Sequence, residues 1–213
     1  MQKLNESDHT HIVISGGIGV GKTTLITNIS NEYRLIPFFE PVDKNEYLPL
    51  FYGNKNKYSF QMQIYLLNYR FRQHQLILSH KYTIQDRCIY EDTIFAKMLS
   101  ESGYMEKLDY ETYKNLLLNM SKFLNSPDLI VYLDITPEIA LERIKKRNRE
   151  CEKNITLEYL TSLHKGYDEW ITVIEDTIPV LRIPWEHFIK TEDVMKLIND
   201  KLGEYNKNTI YKK

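Results

Sequence analysis

The chain has 213 residues, with 28 Lys and Arg against 29 Asp and Glu and 42% hydrophobic residues. That length suits one α/β domain over residues 1–213, and the near-neutral balance gives no positive field for nucleic acid or an anionic membrane, so a small-molecule ligand is expected. No apolar run approaches bilayer-spanning length, the first ten residues lack a signal-like stretch, and Cys88 and Cys151 make no disulfide framework, which together predict a soluble, cytoplasmic protein.

HIVIS at 11–15 reads as a strand running into glycines, and TTLITNISNEY after them as a helix. Further strands are expected at 36–40 (IPFFE), 82–86 (YTIQD), 129–135 (LIVYLDI) and 179–184 (PVLRIP), separated by helical patterns. The longest helical pattern starts at about Ser59 and runs through LSHK, and DTIFAKMLSE and YETYKNLLLNMSKFL continue the helical character. Thr136 as N-cap and Pro137 as first helical residue open PEIALERIKKRNRE. Alternating strands and helices predict a parallel sheet covered on both faces. The polar tail after about residue 205 is expected to fray.

Gly16, Gly17, Ile18, Gly19, Val20, Gly21, Lys22 and Thr23 fit the phosphate-loop pattern G-x-x-x-x-G-K-[ST] between a strand and a helix. Glycines let backbone N–H groups curl round phosphate oxygens, the helix N-terminus adds its positive end, Lys22 neutralises β and γ charge, and Thr23 can ligate Mg²⁺. ATP-type phosphate binding follows. Glu40 closes the second strand at the ligand-facing edge of such a sheet, where a carboxylate can take a hydroxyl proton, although alone it reads more readily as an exposed cap. Asp86 and Arg87 close the third strand at the same edge. Asp86 could hold Mg²⁺ directly or through water, and Arg87 could steady Glu40 and a transferring phosphoryl; a surface ion pair is the plainer alternative.

Positions 63, 66, 67 and 70 share a helix face, which aligns Gln63 with Arg70. A carboxamide donates and accepts together, as reading a base edge requires. Arg143, Arg147 and Arg149 crowd the end of the helix after the fourth strand, with Arg143 and Arg147 facing one way at i and i+4. They can close over phosphates if the segment folds down as a lid; a solvated helix end is the bland reading.

Together these segments resemble the deoxynucleoside kinase family that includes deoxycytidine, deoxyguanosine and deoxyadenosine kinases, in order and over nearly the whole chain. GGIGVGKTT resembles its phosphate loop, through Thr24, FFEPV its second-strand motif, YSFQMQIY its base-reading helix, QDRCIYED its Asp/Glu-Arg-Ser segment, and RIKKRNRECE with LEYL its lid, at about 143–155. The resemblance implies a P-loop kinase fold with a five-stranded parallel sheet, flanking helices and an arginine-rich lid. It implies transfer of the ATP γ-phosphoryl, with Mg²⁺, to the 5′-hydroxyl of a deoxynucleoside, in a homodimer. Glu40 would be the general base, Arg87 its partner and Gln63 the base reader; Tyr52 and Glu152 would hold the sugar 3′-hydroxyl, and Arg143, Arg147 and Arg149 would engage phosphates. Arg70 and Asp92 fall where members accepting deoxycytidine or purines carry an Arg and Asp pair, which leans away from thymidine. The one departure is Cys88 in place of the usual serine, which is expected to pack. A thymidylate kinase-like monophosphate kinase is the nearest rival, set second because Val-Asp-Lys-Asn-Glu follows Glu40-Pro41; a nucleotide-binding switch without efficient turnover is the other.

Overall fold

A computed structural model describes residues 9–205 and 210–212. Its centre is β1 (Thr10–Ser15), buried along its whole length. β2 (Ile36–Phe38), β3 (Tyr82–Asp86), β4 (Leu129–Asp134) and β5 (Val180–Pro184) join it in the order β2-β3-β1-β4-β5. Every pairing is parallel, with Ile12 opposite Ile84 on one side and Leu129 on the other. The connection leaving β1 runs to one side of the sheet and that leaving neighbouring β3 to the other. The loops therefore diverge and open a crevice at the carboxyl edge between them.

Two helical layers cover the sheet. α1 (Lys22–Glu32) packs on β1, β2 and β3 and carries α8 (Thr191–Glu204) against it. In the other layer, α2 (Tyr47–Gly53) packs on α3 (Lys55–Ile77), α3 on α4 (Asp92–Glu101) and α5 (Lys107–Ser121), and α4 on α7 (Leu157–Ile174), with α6 (Pro137–Arg147) against α7. Gln73 of α3 bonds Gln85 of β3 and Trp170 of α7 bonds the Tyr90 carbonyl, which fixes this layer to the sheet.

Several boundaries differ from the sequence reading for local reasons. β2 stops at Phe38, leaving Glu40 two residues beyond it, and the Phe39 carbonyl accepts from the Gln73 side chain. α3 begins four residues before Ser59, where the Asn54 side chain accepts from the Lys57 N–H at 3.1 Å, and ends at Ile77. α6 ends at Arg147 because Asn148 adopts a left-handed conformation with φ 53°, so Arg149 lies outside the helix. The expected Thr136 cap is present, its hydroxyl accepting from Ile139 N–H. The tail expectation needs correction: Ile210 is buried, the Asn199 side chain brackets its backbone with two hydrogen bonds, and Lys212 bridges to Tyr33. Residues 206–209 and 213 lie outside the described residues. No helix among the described residues is long and apolar enough to cross a membrane.

Candidate active site

The phosphate loop links β1 to α1. Gly16, Gly19 and Gly21 hold φ of 138°, 82° and 99°, conformations that side-chain-bearing residues rarely adopt. Gly19 also meets the lid helix so closely that a Cβ would lie 2.6 Å from Ile144 Cγ1 and 2.7 Å from the Ala140 carbonyl. Gly21 starts α1 with no side-chain cap and no acid in the first turn, which leaves the helix N-terminus open to an anion. Lys22 bends back to donate to the Gly16 and Gly17 carbonyls at 3.1 and 2.8 Å. Burial, with the nearby Arg87 charge, pulls its ammonium down to about 8. Thr23 donates to Asp86 Oδ2 at 2.7 Å, while Asp86 Oδ1 is buried without a partner.

A cavity of about 390 Å³ opens from this loop, floored by Glu40, Asp86 and Arg87 and walled by α2, α3 and the segment after α6. Glu40 is its focal carboxylate. Arg70 Nη2 donates to Glu40 Oε1, and Arg87 Nε stands 3.5 Å from Oε2. Burial alone would raise this carboxyl, but Arg70, Arg87 and Lys22 outweigh it and hold the group below the usual carboxylate range. Arg87 is itself in a left-handed conformation, φ 64°, held by donation to the Tyr167 hydroxyl at 2.7 Å and by Glu91 at 3.8 Å. That strain persists because partners on three elements fix the guanidinium.

Gln63, Leu66, Leu67 and Arg70 are all buried on one face of α3, as their spacing predicts. Gln63 Oε1 is buried without a partner and Gln63 lines the cavity. Arg70 Nη1 donates to Asp92 at the start of α4, so one guanidinium bridges the acid behind the cavity and the acid within it. Asp92 Oδ2 is left without a bond. Tyr52, on α2, also lines the cavity, and burial pushes its phenol well above the usual value.

Beyond α6, Glu152 is buried and takes bonds from Arg147 Nη2 and, at 3.1 Å, Arg149 Nη1; all three line the cavity. Arg143 stands apart. Its guanidinium donates to the Val20 carbonyl at 3.0 Å and to the Trp185 and Glu186 carbonyls at 2.8 Å, and stacks on the Phe188 ring at 4.4 Å. The i, i+4 spacing put it beside Arg147, but its long side chain reaches the other way, tying α6 to the phosphate loop. Thr24 is exposed on α1. Cys88 is fully buried, and burial lifts its thiol to about 12, so it packs as an inert side chain.

Sequence reading passed over Glu91, Tyr167 and Ser15. Glu91 is buried, raised by burial, and accepts from the Ser15 hydroxyl just before the phosphate loop. Its signal was its position four residues after Arg87, within the QDRCIYED segment. Tyr167 lies on α7, a helix the sequence reading did not assign.

Residues 12–205 match the family model described as deoxynucleoside kinase. The chain is 50% identical over 190 residues to a deoxyadenosine kinase of Dictyostelium discoideum, covering 89% of this chain and 78% of that one. It is 36% identical over 192 residues to a deoxyadenosine/deoxycytidine kinase of Bacillus subtilis, covering 88% of each. A solved deoxyadenosine kinase from M. mycoides with bound dATP superposes with a TM-score of 0.82 at 34% identity, covering 90% of this chain and 100% of that one. With that match spread over strand, phosphate loop, α3 and lid alike, the chain belongs to the deoxynucleoside kinase family and is an ATP-dependent deoxynucleoside kinase.

Proposed function

We propose that the enzyme transfers the ATP γ-phosphoryl directly to the 5′-hydroxyl of a purine deoxynucleoside or deoxycytidine, in preference to thymidine. The observation that carries this is the Glu40 carboxylate, set in the cavity beside the phosphate loop with Arg87 at 3.5 Å. Glu40 takes the 5′-hydroxyl proton and aims that oxygen in line with the phosphoryl; Arg87 steadies Glu40 and the charge that develops on transfer. Residues Gly16 to Thr24 cradle the phosphates, with Lys22 moving from the loop carbonyls to β and γ oxygens. Tyr52 and Glu152 hold the 3′-hydroxyl, while Arg147 and Arg149 close over the phosphates. Arg143 supports the loop and lid rather than reaching across them.

Thr23 and the orphaned Asp86 Oδ1 fit Mg²⁺. No group of three or more His, Cys, Asp or Glu among the described residues could hold a metal ion alone. When bound, Mg²⁺ neutralises charge on the β and γ oxygens.

The base preference rests on an orphaned acceptor. Gln63 Oε1 is buried with no donor and Gln63 lines the cavity, and an exocyclic amine of adenine or cytosine supplies a donor where thymine offers a carbonyl. The M. mycoides deoxyadenosine kinase, solved with bound dATP and with bound dCTP, supports amine-bearing bases. A monophosphate acceptor fits less well, since Arg70 and Arg87 at the acceptor end are already neutralised by carboxylates.

The test is phosphorylation by the Glu40→Gln enzyme, with ATP binding measured alongside. Loss of general-base action costs roughly 10²- to 10⁴-fold in kcat with nucleotide affinity retained. Unchanged turnover would remove Glu40 from the role of base.

A further inference from the structure

Glu40 follows a strand of three residues, on an irregular stretch that has left the sheet ladder. Something other than the sheet must fix its backbone. On its C-terminal side, Pro41 sets φ and the Val42 N–H donates to the Glu40 carbonyl at 2.9 Å. On its N-terminal side, the Phe39 carbonyl accepts from Gln73 Nε2 on α3 at 2.8 Å.

That bond is the last of a chain. Gln85 Nε2 on β3 donates to Gln73 Oε1 at 3.1 Å, and His11 Nε2 on β1 lies 3.0 Å from Gln85 Oε1. Polarity runs one way throughout. Phe39 offers only an acceptor, so Gln73 presents its NH₂ there and its oxygen to Gln85; Gln85 then presents its oxygen to His11, which must carry a proton on Nε2. His11 is anchored in turn, its N–H donating to Asp128 Oδ2 at 2.8 Å and its carbonyl accepting from the Asp128 N–H at 2.9 Å. Gln73, Gln85 and His11 are 6%, 0% and 2% exposed. Buried amides contribute less to stability than apolar side chains of the same volume unless every bond is made, and here each link is made with one polarity.

We propose that Gln73, supported by Gln85 and His11, is a positioning residue that sets the Phe39–Glu40 peptide plane and so aims the Glu40 carboxylate. A peptide group is rigid, so fixing the Phe39 carbonyl direction fixes the plane that carries the Glu40 nitrogen. With Val42 holding the next plane, the Cα–Cβ direction of Glu40 is fixed before its side chain meets Arg70 or Arg87. The relay touches neither the phosphate loop nor Gln63, so its loss acts on kcat and leaves ground-state binding in place. This rests on the reading of Glu40 as the base.

The experiment compares steady-state kinetics of Gln73→Met and Gln85→Met, which keep volume and remove the relay's donors, with the double variant and with Glu40→Gln. A misaimed base costs on the order of 10- to 100-fold, since a displacement near 1 Å can cost 10²-fold. The expected result is that fall in kcat for Gln73→Met, nucleoside and ATP KM within about threefold of wild type, and a smaller fall for Gln85→Met. The double variant should be no slower than Gln73→Met, because both act through one carbonyl. Gln85→Met leaves Gln73 in place, so it reads the same relay should Gln73→Met fold poorly. Wild-type kcat in either variant, or a rise in KM with kcat unchanged, overturns the proposal even if the melting temperature falls. If Glu40→Gln is itself active, the base assignment fails first and the relay loses its purpose; if Glu40→Gln is inactive and the Gln73 variant is normal, only the relay fails.

Discussion

Acidification should destabilise this enzyme through His74, by an amount that follows from its burial. His74 sits on α3 at 1% exposure with both ring nitrogens buried and without partners. Its ring meets His11 edge-on at 4.9 Å and Tyr90 at 5.8 Å. Burial, with the His9 charge behind it, lowers its imidazolium from 6.5 to about 4. The folded value thus lies below the unfolded one. Below pH 6.5 the unfolded chain takes up a proton that the folded chain refuses, so stability present at neutral pH is lost as pH falls toward 4. At pH 5 the unfolded imidazole is almost fully protonated and the folded one largely neutral, a difference of about 2 kcal/mol relative to pH 7. In urea that lowers the unfolding midpoint by roughly 1 M, for a slope of 2–3 kcal/mol/M. His11, also lowered by burial, adds in the same direction, whereas Glu91, raised by burial, opposes it. The assay therefore compares urea midpoints at pH 7, 6 and 5 for wild type and His74→Leu. The gap between the two should change by about 2 kcal/mol across that range. A gap independent of pH refutes the reasoning.

Other changes probe the site and its scaffold. Gly19→Ala places a methyl 2.6 Å from Ile144 Cγ1 at a φ of 82°, so the loop must shift off α6. ATP affinity, read by nucleotide titration, should fall more than about tenfold, in keeping with a few kcal/mol of strain. Arg70→Met removes the cation bridging Glu40 and Asp92. Relative kcat/KM for thymidine over deoxyadenosine should rise by at least about tenfold, the scale of one lost polar discrimination. Thr156→Ala deletes the hydroxyl that accepts from Tyr159 N–H at 3.2 Å at the start of α7. It should cost about 1 kcal/mol, or 2–4 °C in Tm, with kcat unchanged.

What was legible in the sequence follows from what its residues must do locally. A phosphate loop requires glycines at fixed positions for backbone reasons, so Gly16 to Lys22 could be read outright. Gln63 and Arg70 were legible because α3 imposes its period on any buried face. α7 was not. Gly166 in its middle looks like a breaker, but it is there because α4 crosses so closely that a Cβ would sit 2.8 Å from Ile94 Cγ2, a reason that exists only in three dimensions. Tyr167, the hydroxyl partner of Arg87, was hidden with it. Arg143 parts from Arg147 because spacing along a helix says which way a Cβ points and nothing about where a long side chain ends. The tail misled because its polar composition concealed one apolar anchor, Ile210.

The arrangement of charge explains how so many buried ions coexist. Lys22, Arg70 and Arg87 lie buried with Asp86, Glu91, Asp92 and Glu152 around the half-buried Glu40, while Arg147, which is exposed, and Arg149, which is half-buried, meet Glu152 at the cavity's rim; burying any of the inner charges alone would be strongly unfavourable. The substrate-free site is thus close to balanced, and ATP, which arrives with several negative charges, can bind only by exchanging partners. On the proposed reading each exchange also frees a group for use. Lys22 leaves two loop carbonyls for phosphate, and Arg147 and Arg149 leave Glu152 for phosphate, which releases that carboxylate to the sugar 3′-hydroxyl. Arg70 behaves alike at the other end: a base that draws its guanidinium toward Asp92 loosens its hold on Glu40 and makes that carboxylate a better proton acceptor. Phosphate recognition would then free Glu152 for the sugar and base recognition would free Glu40 for the proton, so a ligand offering only one of them leaves the other carboxylate restrained.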